Sequence, residues 1–242
     1  MNADLVLVHL YPDLLRTYGD RGNVLALVRR AEWRGFRVEV APVSRGERVP
    51  PGAGIVLLGG GTDRDQEILG EDLVGRREEL DAAATGGAVV VGICGGYQLL
   101  GRRYVAADGS AIDGLGLLDV VTEAAAGRMV GNVHARAWLD GRDFDLVGFE
   151  NHGGRTRLGP AARPLASVPR GQGNNGLDGT EGAVQGAVLG TYLHGPVLPA
   201  NPDFADALLA RALARRLGGE PLAPLGDRLE REALAGARRR RR

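Results

Sequence analysis

The one cysteine of this 242-residue chain, Cys94, stands in the pattern Gly92-x-Cys94-x-Gly96-x-Gln98, after an apolar run at 88–91 and before an apolar helical start. A buried strand that turns sharply into a helix holds the side chain at its corner out in open space. The helix behind it offers backbone N–H groups without intrahelical partners and the positive end of its dipole. Both favour a thiolate over a thiol and pull the cysteine below its usual value of about 8.5. The chemistry implied is nucleophilic attack on a carbonyl carbon. A lone cysteine without further support is ordinarily a small buried hydrophobe, so the reading depends on partners elsewhere in the chain.

Two partners stand out. His194 follows Thr191-Tyr192-Leu193, which reads as a strand, and Gly195-Pro196 breaks the structure behind it. As general base and later acid it would serve a nucleophilic cysteine. The triple glycine at 59–61 ends another apolar run. There the backbone N–H of Gly60 or Gly61, with that of Gly95, would form an oxyanion hole, because no side chain blocks the approach of a substrate. Of the other histidines, His9, His134 and His152, the one in Gly148-Phe149-Glu150-Asn151-His152-Gly153 is the reserve candidate for the base.

These groups converge only if the elements before them form one sheet. Residues 5–8, 36–40, 55–58 and 88–91 read as strands, with helical spacing at 24–33 and 64–84 between them. Strands alternating with helices predict an α/β fold: an open, mostly parallel, flavodoxin-like sheet with helices on both faces. Such sheets place their sites at the carboxyl ends of strands. After about residue 115 the runs at 120–123, 129–138 and 145–149 predict antiparallel strands, followed by a glycine-rich loop at 170–180 and a helix over 203–217. The reading is one domain over 1–217 and a C-terminal extension over 218–242 with a disordered arginine tail.

Composition narrows the classes. No apolar run reaches the roughly 20 residues that span a bilayer, and the N-terminus lacks the basic region of a secretory signal. A single cysteine permits no intrachain disulfide and suits a reducing cytoplasm. One cysteine and scattered histidines give no metal-ligand spacing, so no metal is expected. The net charge is zero, yet Arg238 to Arg242 are all arginine, and without them 25 basic residues face 30 acidic ones. A run of that kind is ordinarily a solvated end rather than a nucleic-acid site.

Gly92 to Leu99 together with Tyr192-Leu193-His194-Gly195-Pro196 resembles the class I glutamine amidotransferases, and within them the cobyric-acid-synthase-like branch. Further motifs tighten the match: His9-Leu10-Tyr11-Pro12, Tyr18-Gly19-Asp20-Arg21-Gly22-Asn23, Gly59-Gly60-Gly61 with Asp63-Arg64-Asp65-Gln66, and Gly148 to His152. With these, the chain is similar over nearly 4–215 to the GatD-type glutaminase subunits.

The resemblance implies a glutaminase that works in a heterodimer with a MurT-like Mur ligase. L-Glutamine is hydrolysed through a Cys94 thioester. The ammonia passes to the ligase, which amidates the D-glutamate of lipid II in peptidoglycan synthesis. The resemblance places Arg128 on the glutamine carboxylate, a task that suits a bidentate guanidinium, and groups Gln98 with it. No cofactor is implied in this chain. ATP and Mg are expected on the partner, since the chain has no G-x-x-x-x-G-K-[ST] loop. One departure matters: many class I enzymes carry a glutamate two residues after the catalytic histidine, where this chain has Pro196. A carboxylate from the partner is therefore expected to complete the triad. Three other readings stand beside this one: ammonia for corrinoid amidation, a thiol hydrolase of α/β-hydrolase type using Asp143 or Asp145, and a binding module with an inert thiol.

Overall fold

The computed structural model describes residues 3–16, 19–106 and 108–239. Tyr18 of the N-terminal motif and the last three arginines of the tail lie outside the described residues. In the first half, β1 (Leu5–Leu10), α1 (Arg21–Glu32), β2 (Val38–Val43), β3 (Ile55–Leu58), α2 (Asp63–Gly75), α3 (Arg77–Thr85), β4 (Val89–Ile93) and α4 (Gly95–Leu100) follow one another. Next come β5 (Arg103–Val105), β6 (Ala111–Asp113), β7 (Val120–Leu139), β8 (Arg142–Leu158), β9 (Ala166–Arg170) and β10 (Thr180–Glu181). Then follow β11 (Ala183–Gln185), β12 (Val188–Thr191), α5 (Val197–Ala200), α6 (Pro202–Ala212), α7 (Ala214–Leu217) and α8 (Arg228–Arg239).

The first sheet has the order β11-β12-β4-β3-β1-β2. It is parallel except for the antiparallel edge strand β11. Helices cover both of its faces, and β3 and β4 are buried along their whole length, which is why they read as unbroken apolar runs. The register decides where the chemistry sits. Leu58 pairs with Gly92, and Thr191 pairs with Ile93. The residues after β3, β4 and β12 therefore leave the sheet side by side at its carboxyl edge.

The second sheet is built on the hairpin of β7 and β8, closed by Asp140 and Gly141 at φ 52° and 76°. An Asp-Gly pair with both φ positive matches the twist of the strands it joins. β9 adds antiparallel to β7 and β5 adds parallel. One apolar cluster runs through both sheets.

Several elements depart from the sequence reading. The runs at 120–123 and 129–138 belong to one strand, β7, interrupted by an irregularity between Ala124 and Met129. A bulge lets a strand continue past residues that break the alternation. The helix expected over 64–84 is two helices meeting at Arg76, and the one over 203–217 is likewise divided, at Leu213.

The extension after 217 contains α8, which reaches Arg239, so the first two arginines of the run, Arg238 and Arg239, are helical. Arg231 pairs with Asp203 at 3.1 Å and Arg238 with Asp145 at 2.7 Å. The prolines and charges around 218–227 had hidden a helix whose docking partners lie on α6 and β8. No helix among the described residues is long and apolar enough to cross a membrane.

Candidate active site

Cys94 is the corner between β4 and α4, with φ 50° and ψ −105°. A non-glycine residue in that region stores on the order of 1–3 kcal/mol of strain and persists only where its neighbours fix it. Here the Cys94 N–H donates to the Thr191 carbonyl at 2.8 Å, and its own carbonyl accepts from the Gln98 N–H at 3.1 Å. The glycines around it are required by space. A Cβ on Gly96 would lie 2.6 Å from the Leu58 carbonyl oxygen, and one on Gly92 would lie 2.6 Å from the Gly96 carbonyl. The corner is thus wedged between the ends of β3 and β12, and Cys94 forms part of the wall of a cleft of about 480 Å³. That size suits a small polar metabolite.

Arg128 sits on the same cleft, on the β7 bulge. Its Nε donates to Asn151 Oδ1 and its Nη2 to the Asn151 carbonyl, both at 2.7 Å. The fork is held from behind by β8, as a carboxylate receptor requires. In the sequence Asn151 is one position of a motif, and nothing local marks it as the holder of an arginine 23 positions away.

The two histidine candidates lie near each other. His152 lines the cleft with Cys94. Its ring stacks on Tyr192 at 3.6 Å and 5°, and its Nδ1 donates to the Gly154 carbonyl at 2.9 Å. His194, 2 % exposed, is buried close enough to the cleft residues His152 and Arg128 for both to act on it. Its backbone pairs with Phe149 in both directions, at 2.9 and 3.2 Å. Burial is the first cause that pulls both rings down to about 4; His152 and Arg128 also lower His194. Both are therefore neutral near pH 7, the form that accepts a proton from a thiol. Pro196 follows at the position of the usual acid and supplies no carboxylate. Two buried carboxylates near this strand end are committed elsewhere: Glu181 accepts from the Tyr192 N–H at 2.7 Å and from the Thr191 hydroxyl, and Glu150 accepts from the N–H groups of Gln172 and Gly173. Burial raises Glu181 to about 7.

Two sequence expectations need correction. The Gly60 N–H donates to Asp20 Oδ2 at 2.8 Å, so it is not available to a substrate oxygen. Gly61 and Gly95 remain, and they approach closely, since a Cβ on Gly95 would lie 2.8 Å from the Gly61 nitrogen. Gln98 borders the cleft, but its amide is largely spent. Its oxygen accepts from Gln66 at 2.9 Å and its nitrogen donates to the Tyr192 hydroxyl at 3.3 Å. That hydroxyl also bonds Thr156 at 2.6 Å, and Thr156 bonds Thr122 at 2.7 Å. Gln98 is a link in a buried polar chain, from Gln66 to Thr122, that fixes the elbow. Asp145, a hydrolase-type candidate, is occupied by His134 at 2.9 Å and Arg238 at 2.7 Å on β7 and α8. Among the described residues no group of three potential ligands could hold a metal ion.

Comparison with known proteins agrees with this geometry. Residues 6–202 match the model of the CobB/CobQ-like glutamine amidotransferase domain. The subunit GatD of the glutamine-hydrolysing lipid II isoglutaminyl synthase of Staphylococcus aureus (strain N315) is 39 % identical over 222 residues, 91 % of this chain and 88 % of that protein. The subunit of the same name from Streptococcus pneumoniae (strain ATCC BAA-255 / R6) is 37 % identical over 235 residues, 96 % of this chain and 89 % of that protein. In fold, a crystal structure of a glutamine amidotransferase from Thermotoga maritima aligns at a TM-score of 0.53 and 15 % identity, covering 98 % of this chain and 92 % of that one. A strained cysteine elbow, an arginine held on a cleft and a match over most of the length lead to one conclusion: the chain belongs to the CobB/CobQ-like glutamine amidotransferases, enzymes that hydrolyse glutamine.

Proposed function

We propose that the chain is the glutaminase subunit of a lipid II isoglutaminyl synthase. The observation that carries the chemical part is Cys94 at positive φ on a cleft that Arg128 also lines. Arg128 takes the glutamine α-carboxylate. The Cys94 thiolate attacks the side-chain carboxamide carbon, and the N–H groups of Gly61 and Gly95 receive the developing oxyanion. A neutral imidazole takes the thiol proton and returns it to the departing nitrogen, because an amide anion does not leave. The C–N bond breaks, ammonia departs and a thioester remains. Water then releases glutamate and restores the thiol. His194 is that imidazole on the family motif. His152 is the second assignment, favoured by its place on the cleft.

The acceptor and the partner rest on the likeness to the two relatives. The ammonia goes to a MurT-like ligase in a heterodimer, which would hold ATP and Mg, phosphorylate the D-glutamate α-carboxylate of lipid II at the expense of ATP, and let ammonia displace the phosphate to leave the amide on lipid II. The complex works in the cytoplasm at the inner face of the membrane, where its lipid-linked substrate lies. A carboxylate of the ligase completes the triad, since Pro196 cannot and Glu181 is bonded to Thr191 and Tyr192. The test is glutamine-dependent amidation of lipid II by the chain together with the ligase that co-purifies with it. Cys94→Ala is expected to abolish the use of glutamine and to leave ammonium-dependent amidation in place. Retention of glutamine use by that variant would refute the cysteine mechanism, and amidation of some other acceptor would refute the assignment to lipid II.

A further inference from the structure

Two buried polar residues at the start of α1 stand outside the chemistry described so far. Asp20 is 1 % exposed and Asn23 is fully buried. Asp20 Oδ2 accepts the Gly60 N–H at 2.8 Å and its Oδ1 accepts from Asn23 Nδ2 at 3.3 Å. Asn23 Oδ1 in turn accepts the N–H of Leu198, four positions beyond His194, at 2.8 Å. The packing follows the same line. A Cβ on Gly59 would strike the Leu15 carbonyl, and one on Gly22 would lie 2.5 Å from Pro196 Cγ. Leu15, Asp20, Gly22 and Asn23 are therefore wedged between the glycine loop after β3 and the turn after His194. No described cation pairs with Asp20, and a buried carboxylate is costly unless its bonds do something.

We propose that Asp20 is a positioning residue for glutamine hydrolysis: with Asn23 it ties the loop carrying Gly61 to the turn that follows His194. By holding the Gly60 N–H away from the cleft, Asp20 fixes the rotation of the next peptide, whose N–H belongs to Gly61. The two halves of the site, one stabilising the oxyanion and one moving the proton, are then set against each other by one carboxylate and one amide. This rests on the reading of Gly61 as an oxyanion donor.

The experiment compares wild type, Asp20→Ala and Asp20→Asn, each as the full chain with its co-purifying ligase. Steady-state glutaminase activity is measured beside the rate at which iodoacetamide alkylates Cys94, a reaction at saturated carbon that forms no oxyanion. Loss of one oxyanion donor costs about 100-fold in kcat, so Asp20→Ala is expected to lose about that, with KM changed by less than about threefold and alkylation unchanged. Asp20→Asn keeps an oxygen for Gly60 but sets its amide against that of Asn23, and is expected to lose about tenfold. A kcat within about threefold of wild type in Asp20→Ala overturns the proposal. So does alkylation that falls in step with kcat, which would mean general disorder of the site. Should Asp20→Ala not fold, Asp20→Asn decides by the same two readings. A wild-type complex that turns over no glutamine would instead defeat the proposed function.

Discussion

Arg128 shows what a single side chain needs in order to act as a receptor. Its Nε and Nη2 are fixed by one residue, Asn151, which removes rotamer freedom before any ligand arrives. Each hydrogen bond between charged groups is worth about 1.5–3 kcal/mol. Replacing Arg128 by alanine is therefore expected to raise the KM for glutamine about 100-fold with a smaller change in kcat, and lysine is not expected to rescue it because it lacks the planar fork. Initial rates over a range of glutamine concentrations check this; an unchanged KM would remove Arg128 from the carboxylate site. The same scale explains why the sequence could nominate Cys94 and Arg128 yet misjudge Gly60. A glycine N–H looks free in any sequence, and only a carboxylate 40 positions earlier shows that it is used.

At the scale of elements, the strand–elbow–helix from β4 to α4 is the unit that makes the cysteine reactive, and its glycines are there for lack of space. Gly96 faces the backbone of β3, which cannot give way as a side chain tip could, so Gly96→Ala is expected to cost about 2–4 kcal/mol. Gly70, inside α2 with nothing near its missing Cβ, is the contrasting case. Gly70→Ala is expected to stabilise by about 0.5–1 kcal/mol through helix propensity. Urea midpoints of the two variants should move in opposite directions. The elbow was legible because strand, turn and helix are local patterns. The β7 bulge that presents Arg128 was not, because a bulge is defined by its partner strand, and β8 lies across the hairpin.

The whole molecule carries two opposed titrations. Burial lowers His152 and His194 to about 4, below the usual histidine value, so their contribution to stability is present above about 6.5 and lost as pH falls through 4. Burial raises Asp20 and Glu181 to about 7, so their contribution is present below about 4 and lost as pH rises through 7. Between these limits the slopes have opposite sign. Stability of the wild type is expected to be nearly flat from about pH 4.5 to 6.5. Asp20→Asn, with one carboxyl removed, should become more stable as pH rises across that window. Denaturant midpoints at the two ends measure it, and a variant slope equal to that of wild type would show that Asp20 titrates normally.

What the sequence determined by itself was the parallel α/β sheet, the elbow at Cys94 and the family motifs, because apolar period, glycine placement and residue spacing act over a few positions. What only the tertiary structure decided was which groups meet. His152 lines the cleft with Cys94 and Arg128, Gln98 is spent on Gln66 and Tyr192, and α8 reaches Asp145 through Arg238. The bond from Leu198 to Asn23 joins residues 175 positions apart. Partners at such separations are chosen by the register of the strands and the packing of one layer on another, and no local pattern encodes them.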